Sequence, residues 1–234
     1  MKAEDLKIVL EQHQLWISSD GKEGYRADLS GQDLRCAELT GANLSNADLS
    51  NTNLSYASLY DANLYDANLT DADLSRADLR LVDLSGADLT GANLTGANLR
   101  NADLNDANLT GANLRNADLN GINLNGTNLI DANLCHANLR NADLTGANLR
   151  NANLTDAELS GANLTDADLT GANLTRADLT RANLNDASLT GADLTGADLT
   201  DANITGAKMP SGFYKDQKIK VKKSSETEIS EPDM

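Results

Sequence analysis

Residues 87–106 read ADLTG ANLTG ANLRN ADLND, four consecutive copies of one five-residue pattern. The pattern fills most of the 234-residue chain, because a Leu stands at every fifth position from Leu29 to Leu199, 35 times without a slip. Two residues before each Leu runs a second column, from Ala27 to Ala207, in which 32 of 37 positions are Ala. The exceptions in this second column are Gln32, Thr52, Val82, Ile122 and Thr127.

A period of five residues fits neither an α-helix nor a continuous strand. On a helix each Leu would be rotated by about 140° from the previous one, so no apolar face would form. On a strand Ala and Leu share a face, but the next pair would point to the opposite side. The chain must therefore turn a corner in every repeat and keep Ala and Leu inside. Gly occupies the second residue after the Leu column in 14 repeats, where a positive φ would favour it.

The tandem A-(N/D)-L-x-x pattern resembles the pentapeptide repeat family over roughly residues 25–209. The resemblance implies an all-β solenoid, a right-handed quadrilateral β-helix with four repeats per coil and with Leu and Ala pointing inward. At about 4.8 Å per layer, about nine coils would give a rod about 43 Å long. The pattern is similar to that of pentapeptide proteins abundant in bacteria, especially cyanobacteria.

Both ends of such a rod need a cap, since the terminal coils expose unpaired backbone. We predict a helical cap and lead-in over residues 1–24, the repeat over 25–209, and a mostly disordered tail over 210–234. Residues 3–18 have a helical pattern with an apolar stripe that can plug the first coil; this stripe comprises Leu6, Val9, Leu10, His13 and Ile17. Further apolar residues widen it, among them Ile8, Leu15 and Trp16. The excess is consistent with a deeply seated plug or with a self-association surface.

At the other end, Phe213 and Tyr214 are the candidate cap residues. They could close the last coil alone, or the end could pair with a second rod, since some members of the family dimerise there. Together with Leu15 and Trp16, they are the candidate cap or dimer contacts.

Charge and composition limit the possible partners. The formal net charge is −16 and the pI is about 4.3, which argues against direct binding to nucleic acid and permits a basic protein partner. No apolar stretch approaches the length of a membrane span, and the charged start gives no indication of a secretory signal. Ten Asn-x-Ser/Thr triplets also fit a cytoplasmic location better than a secreted one.

The sequence predicts neither an enzyme nor a cofactor or metal site. A core filled with Leu leaves no cavity for catalysis, and no phosphate loop or nucleophile motif is present. Cys135 and His136 are adjacent but lie outside the core by register. Cys36 would be about 24 Å from them, too far for a disulfide, and two ligands make a poor zinc site.

Two sets of outward residues are candidate interaction surfaces. All 25 Asp and Glu residues between positions 27 and 207 lie directly before the Leu column or two residues after it. The most acidic column contains Glu38, Asp78, Asp118, Glu158, Asp178 and Asp198. The last three fall in consecutive coils, so we interpret them as an anionic stripe rather than a calcium ladder, which would need six to eight oxygens per ion. Tyr56, Tyr60 and Tyr65 are either an aromatic contact patch or ordinary surface tyrosines.

Two functions are consistent with these features. The first is a non-catalytic structural rod, with the possibility of a dimer through one end, that presents an acidic surface to an unknown protein. The second comes from the family resemblance: some pentapeptide repeat proteins mimic B-form DNA and bind type II topoisomerases such as gyrase. Those proteins carry Phe at the Leu position in part of the rod and a C-terminal dimer helix, and this sequence departs from both features.

Overall fold

The structure is a computed structural model that describes residues 1–213, and its main body is a four-sided coil. Thirty-three parallel β-bridges link residues 20 apart, from Asp28↔Asp48 to Ser188↔Lys208. One coil is therefore 20 residues long and contributes one bridge on each of its four sides. No insertion interrupts this register, which agrees with the uninterrupted pattern of the sequence. The bridges are isolated, so each side of a coil is too short to form a longer strand.

Backbone hydrogen bonds join each coil to the next at three points per repeat. In the first repeat the amide of Leu29 donates to the carbonyl of Asp48 at 2.7 Å, and the amide of Gly31 donates to Ser50 at 2.8 Å. In the opposite direction the amide of Asp48 donates to the carbonyl of Ala27 at 2.9 Å. These bonds repeat along the rod, so the buried backbone is paired from layer to layer.

The interior consists almost entirely of the two columns. Every Leu of the column, from Leu29 to Leu199 at five-residue intervals, is buried, with at most 5% of its surface exposed. Thr52 and Thr127 replace Ala in the second column and are fully buried. Each satisfies its hydroxyl by donating to a carbonyl of the preceding coil, Thr52 to Leu29 at 2.7 Å and Thr127 to Leu104 at 2.8 Å.

The corners lie at the second residue after the Leu column. All 36 of these residues, from position 31 to position 206, have a positive φ of 53–72°. The corner closes with a turn bond, such as the amide of Ala107 to the carbonyl of Leu104 at 3.0 Å. The Gly corners were predicted from sequence, and the structure extends the same backbone conformation to every other residue type that occupies a corner.

The N-terminal end of the rod is covered by helix α1, Ala3–Ser18. Leu6, Val9 and Leu10 pack against the core, and His13 is fully buried. The Nδ1 of His13 accepts a hydrogen bond from the amide of Ala27 at 3.1 Å, which satisfies a donor at the start of the first coil. These contacts place one side of α1 against the core of the rod.

Part of the apolar surface of α1 faces outward. Ile8 is 53% exposed and Leu15 is 43% exposed, so these two residues do not belong to the plug. Trp16 is half-buried, and its ring stacks on that of His13 at 5.6 Å between centroids. No helix in the described part of the chain is long and apolar enough to cross a bilayer.

At the other end Phe213 is buried and packs beside the last coil. The tail was predicted over residues 210–234, and its part from Tyr214 onward lies outside the described residues. The division of the chain near residues 25 and 210 stays a prediction.

Candidate interaction face

The four sides of the rod can be named by the residue that precedes each Leu. Face 1 contains Asp28 and every twentieth residue after it, face 2 starts at Asp33, face 3 at Glu38 and face 4 at Asn43. Each corner residue lies between two faces: position 36 and its equivalents separate faces 2 and 3, and position 41 and its equivalents separate faces 3 and 4.

The corner residues distinguish face 3 from the other sides. Fourteen of the 36 corners are Gly and 15 are Asn or Asp, the residue types that adopt a positive φ most readily. Seven corners are occupied by other types: Cys36, Tyr56, Arg76, Leu81, His136, Arg176 and Arg181. Of the 36 corners, 18 lie at an edge of face 3, and all seven exceptions are among these 18. The corners between faces 4 and 1 and between faces 1 and 2 contain only Gly, Asn and Asp.

The predicted anionic stripe lies on face 3. Glu158, Asp178 and Asp198 form consecutive bridges of one ladder. Elsewhere Asn commonly separates the carboxylates of a ladder and donates to the one below, as Asn138 does to Asp118 at 2.9 Å. No Asn separates the three residues of the stripe, so their like charges lie in adjacent layers.

An arginine column runs beside these carboxylates and pairs with several of them. Arg80 pairs with Asp78 at 2.6 Å, and Arg100 and Arg140 reach up to the next coil, to Asp118 at 3.5 Å and Glu158 at 3.3 Å respectively. The side-chain hydrogen bonds from Arg80 lower the pKa of Asp78 below its usual value. Arg80, Arg100 and Arg140 therefore offset neighbouring acids, and Glu158 of the stripe is one of them.

The structure places two of the three predicted tyrosines on or beside the same face. Tyr60 lies on face 3 and Tyr56 at its edge, and each ring lies under the guanidinium of the residue 20 positions later. The distances to the ring centroids are 5.5 Å for Arg76 over Tyr56 and 5.2 Å for Arg80 over Tyr60. Tyr65 lies on face 4 instead, where the negative charge of Asp66 raises the pKa of its phenol. The Tyr–Arg stacks were not predicted, although the 20-residue spacing of these pairs is visible in the sequence.

The remaining candidate residues do not assemble into a site. Cys36 and Cys135 are both free, and the imidazole of His136 has one carboxylate nearby, Asp156 at 3.9 Å. No group of three or more potential metal ligands occurs among residues 1–213. The candidate end contacts lie at opposite ends of the rod, with Leu15 and Trp16 on α1 and Phe213 beside the last coil.

The model of the pentapeptide repeat family matches the chain in eight copies, with matches at 25–55, 47–86, 57–96, 83–121 and 172–210. This protein belongs to the pentapeptide repeat family. Its relatives of known structure include HetL, a pentapeptide repeat protein involved in the regulation of heterocyst differentiation in the cyanobacterium Nostoc sp. strain PCC 7120. HetL is 39% identical, and the match covers 85% of this chain and 96% of HetL with a TM-score of 0.50.

Two further pentapeptide repeat proteins of known structure are less similar. A protein from the thylakoid lumen of Arabidopsis thaliana is 36% identical over 42% of this chain and 68% of its own, with a TM-score of 0.41. QnrB1, a plasmid-mediated fluoroquinolone resistance protein, is 22% identical over 78% of this chain and 89% of its own, with a TM-score of 0.43. Among curated proteins none matches this pentapeptide repeat chain.

Proposed function

We propose that this pentapeptide repeat protein is a non-catalytic interaction rod that binds a protein partner through face 3. The observation that supports this most is the placement of the seven unusual corner residues, because every one of them flanks face 3. A side chain other than Gly, Asn or Asp costs stability at a positive φ. Residues that break a local rule without a structural gain are expected at functional sites.

The acidic half of face 3 is the surface that we propose binds a basic partner. Glu158, Asp178 and Asp198 place three carboxylates in successive layers, and the rod is stiff enough to hold them at a fixed spacing. A row of fixed like charges favours an oppositely charged surface and accelerates its association.

Replacing aspartate by asparagine tests this surface without disturbing the fold. Asn at the equivalent positions keeps the same turn bonds: Asn108 accepts from the amide of Thr110 at 3.2 Å, as Asp178 does from Thr180 at 3.0 Å. We expect the double variant Asp178→Asn/Asp198→Asn to lose partners that the wild-type rod captures from its native cell. The matched control is Asp88→Asn/Asp168→Asn on the opposite face 1, which changes the net charge equally. Equal capture by both double variants would overturn the assignment of face 3.

Mimicry of DNA toward a type II topoisomerase such as gyrase is the second candidate function. The 25 carboxylates between residues 27 and 207 on a rod about 43 Å long give about one per 1.7 Å, the charge density of B-form DNA. The nine arginines of the same segment reduce the net density to one charge per about 2.7 Å. A supercoiling assay with relaxed plasmid tests this candidate. Inhibition that persists at physiological salt would support it, whereas full gyrase activity at micromolar rod concentrations would exclude it.

Three further features are proposals. We propose that the coil is right-handed, as the family resemblance implies, and that the protein acts in the cytoplasm, where its two free cysteines would stay reduced. We also propose that two copies associate through an end of the rod. The exposed Ile8 and Leu15 on α1 support association at the N-terminal end. Sedimentation should then show a dimer that Leu15→Gln dissociates, and a monomeric wild type would exclude it.

A further inference from the structure

The N-terminal third of face 3 carries a surface of different chemistry from the acidic stripe. We name it the tyrosine–arginine patch, and it consists of Tyr56, Tyr60, Arg76, Arg80 and Leu81. Tyr56 is 56% exposed and Leu81 is 45% exposed, and both guanidinium groups lie at the surface. Tyr and Arg are the residue types most enriched at the energetic centres of protein interfaces.

Leu81 is the apolar residue of the patch, and its local structure is unfavourable. It occupies a corner with φ +60°, a conformation that costs a residue with a large side chain about 1–2 kcal/mol. The amide of Leu81 donates to the carbonyl of Arg100 at 3.3 Å, whereas the corner amide of Arg76 donates to Thr95 at 3.0 Å. Leu81 leaves 45% of its surface exposed, so burial within the chain offsets this cost only in part.

Arg76 has hydrogen-bonding capacity that the rod itself does not use. Its column also contains Arg176, which lies in a later coil and forms a bidentate pair with Asp156, at 2.7 and 2.6 Å. Below Arg76 the equivalent residue is Tyr56, so its guanidinium stacks on a ring and forms no ion pair among residues 1–213. Arg76 is exposed, so its N–H donors are available at the surface to pair with a carboxylate.

The second stack is held even more firmly. Arg80 lies over Tyr60 and donates to both carboxylate oxygens of Asp78, at 2.7 and 2.6 Å. This arrangement neutralises Arg80 and keeps Tyr60 in place, so the partner would meet a rigid surface and lose little of its binding energy to ordering it. Arg76 is then the one guanidinium of the patch whose charge is not balanced by a neighbouring carboxylate.

We propose that the tyrosine–arginine patch binds a protein segment in which a carboxylate lies beside an apolar side chain. The carboxylate pairs with Arg76, and the apolar side chain packs on Leu81 and the tyrosine rings. This inference rests on the proposed interaction role and assigns face 3 a second, chemically opposite site. The rod as a whole is strongly anionic, so it would repel an acidic segment everywhere except at such a patch.

Selection from a random twelve-residue peptide display library on the immobilised full-length protein tests the proposal. We expect enriched peptides to contain Asp or Glu next to Leu, Phe or Ile. Their affinity should fall at least tenfold on Arg76→Gln and on Leu81→Asn, because each change removes one of the two contacts. Arg150→Gln is the matched control, since it removes the same charge from face 1 on the opposite side, and it should leave binding unchanged. Circular dichroism confirms that each variant keeps its fold.

Two outcomes would overturn the proposal. The first is enrichment of no acidic–apolar peptide, or of peptides that bind Arg76→Gln as well as the wild type. The second is enrichment of basic peptides alone, with binding lost on Asp178→Asn/Asp198→Asn. That result would support the acidic half of face 3, and with it the proposed function, while removing the tyrosine–arginine patch from it.

Discussion

The interior columns and the corners beside face 3 are subject to opposite constraints. Inside the rod every Leu from position 29 to position 199 is kept, because each side chain fills one layer and has the same neighbours above and below. At the corners the backbone conformation is equally uniform, yet Tyr, Arg, Leu, His and Cys occur where Gly, Asn or Asp would fit better. Packing explains the first region, while in the second only some of the unusual side chains find a partner within the rod, as Arg176 does in Asp156.

This difference separates stability from function along one short repeat. The column that determines the fold lies two residues from the corner that, in our proposal, contributes to binding. A change in the column should therefore unfold the rod, and replacing Leu81 at its unusual corner by Asn should leave the rod as stable or more so.

The largest effect is expected in the Leu column. Leu119→Asp places a carboxylate in a fully buried position with no partner for its charge, and should cost more than about 4 kcal/mol of unfolding free energy. Asn116→Asp, at a corner with φ +58°, should change it by less than about 0.5 kcal/mol. Urea unfolding followed by circular dichroism measures the change in unfolding free energy for both variants. Similar midpoints for the two variants would show that the assigned register is wrong.

The cap gives the second prediction, which concerns pH. Burial lowers the pKa of His13, and its Nδ1 must stay unprotonated to accept from Ala27. The unfolded chain takes up a proton near pH 6.5, whereas the folded cap does so only at lower pH. The stability of the cap should therefore be constant above pH 6.5 and fall as the pH decreases below it.

The single tryptophan reports on this cap, because Trp16 stacks on His13. Its fluorescence should show a lower urea midpoint at pH 5.5 than at pH 7.5. His13→Gln should lack that difference, and His136→Gln, which changes the other histidine, should keep it. If the pH effect persisted in His13→Gln, it would have to arise from groups other than His13.

A moderate effect is expected where Thr replaces Ala in the core. Thr127→Val keeps the volume and removes the hydroxyl that donates to Leu104 at 2.8 Å. That carbonyl also accepts from the amide of Ala107 at 3.0 Å, so it would not be left unpaired. The expected loss is about 0.5–1 kcal/mol, measured by urea unfolding. A Thr127→Val rod as stable as the wild type would mean that the hydroxyl bond contributes nothing net.

The smallest effect is expected at the unusual corner, and it has the opposite sign. Leu81→Asn should stabilise the rod by up to about 1 kcal/mol, because Asn adopts a positive φ more easily than Leu. Leu81→Val should destabilise it, since a branched side chain is less tolerant of that backbone. Thermal unfolding of the two variants and the wild type gives their order of stability. If Leu81→Asn were less stable than the wild type, the corner would not be strained and one argument for the tyrosine–arginine patch would fail.

The repeat allowed the layered fold to be predicted from the sequence. It allowed only part of the side-chain pairing to be predicted. Residues 20 apart were expected to stack, so the single ladder of Glu158, Asp178 and Asp198 followed from counting. The stack of Arg76 on Tyr56 did not, because a long side chain can reach up, down or sideways, and the spacing alone does not select the direction.

The sequence by itself determined the five-residue period, the Leu and Ala interior, the corner positions and the net charge of this protein. Apart from the net charge, which is a sum over side chains, these properties depend on contacts that repeat identically, so one local rule fixes them. The tertiary structure decided which carboxylates are paired and that α1 buries His13 while leaving Ile8 and Leu15 exposed. These features depend on how side chains of different layers meet in space, which no single repeat encodes.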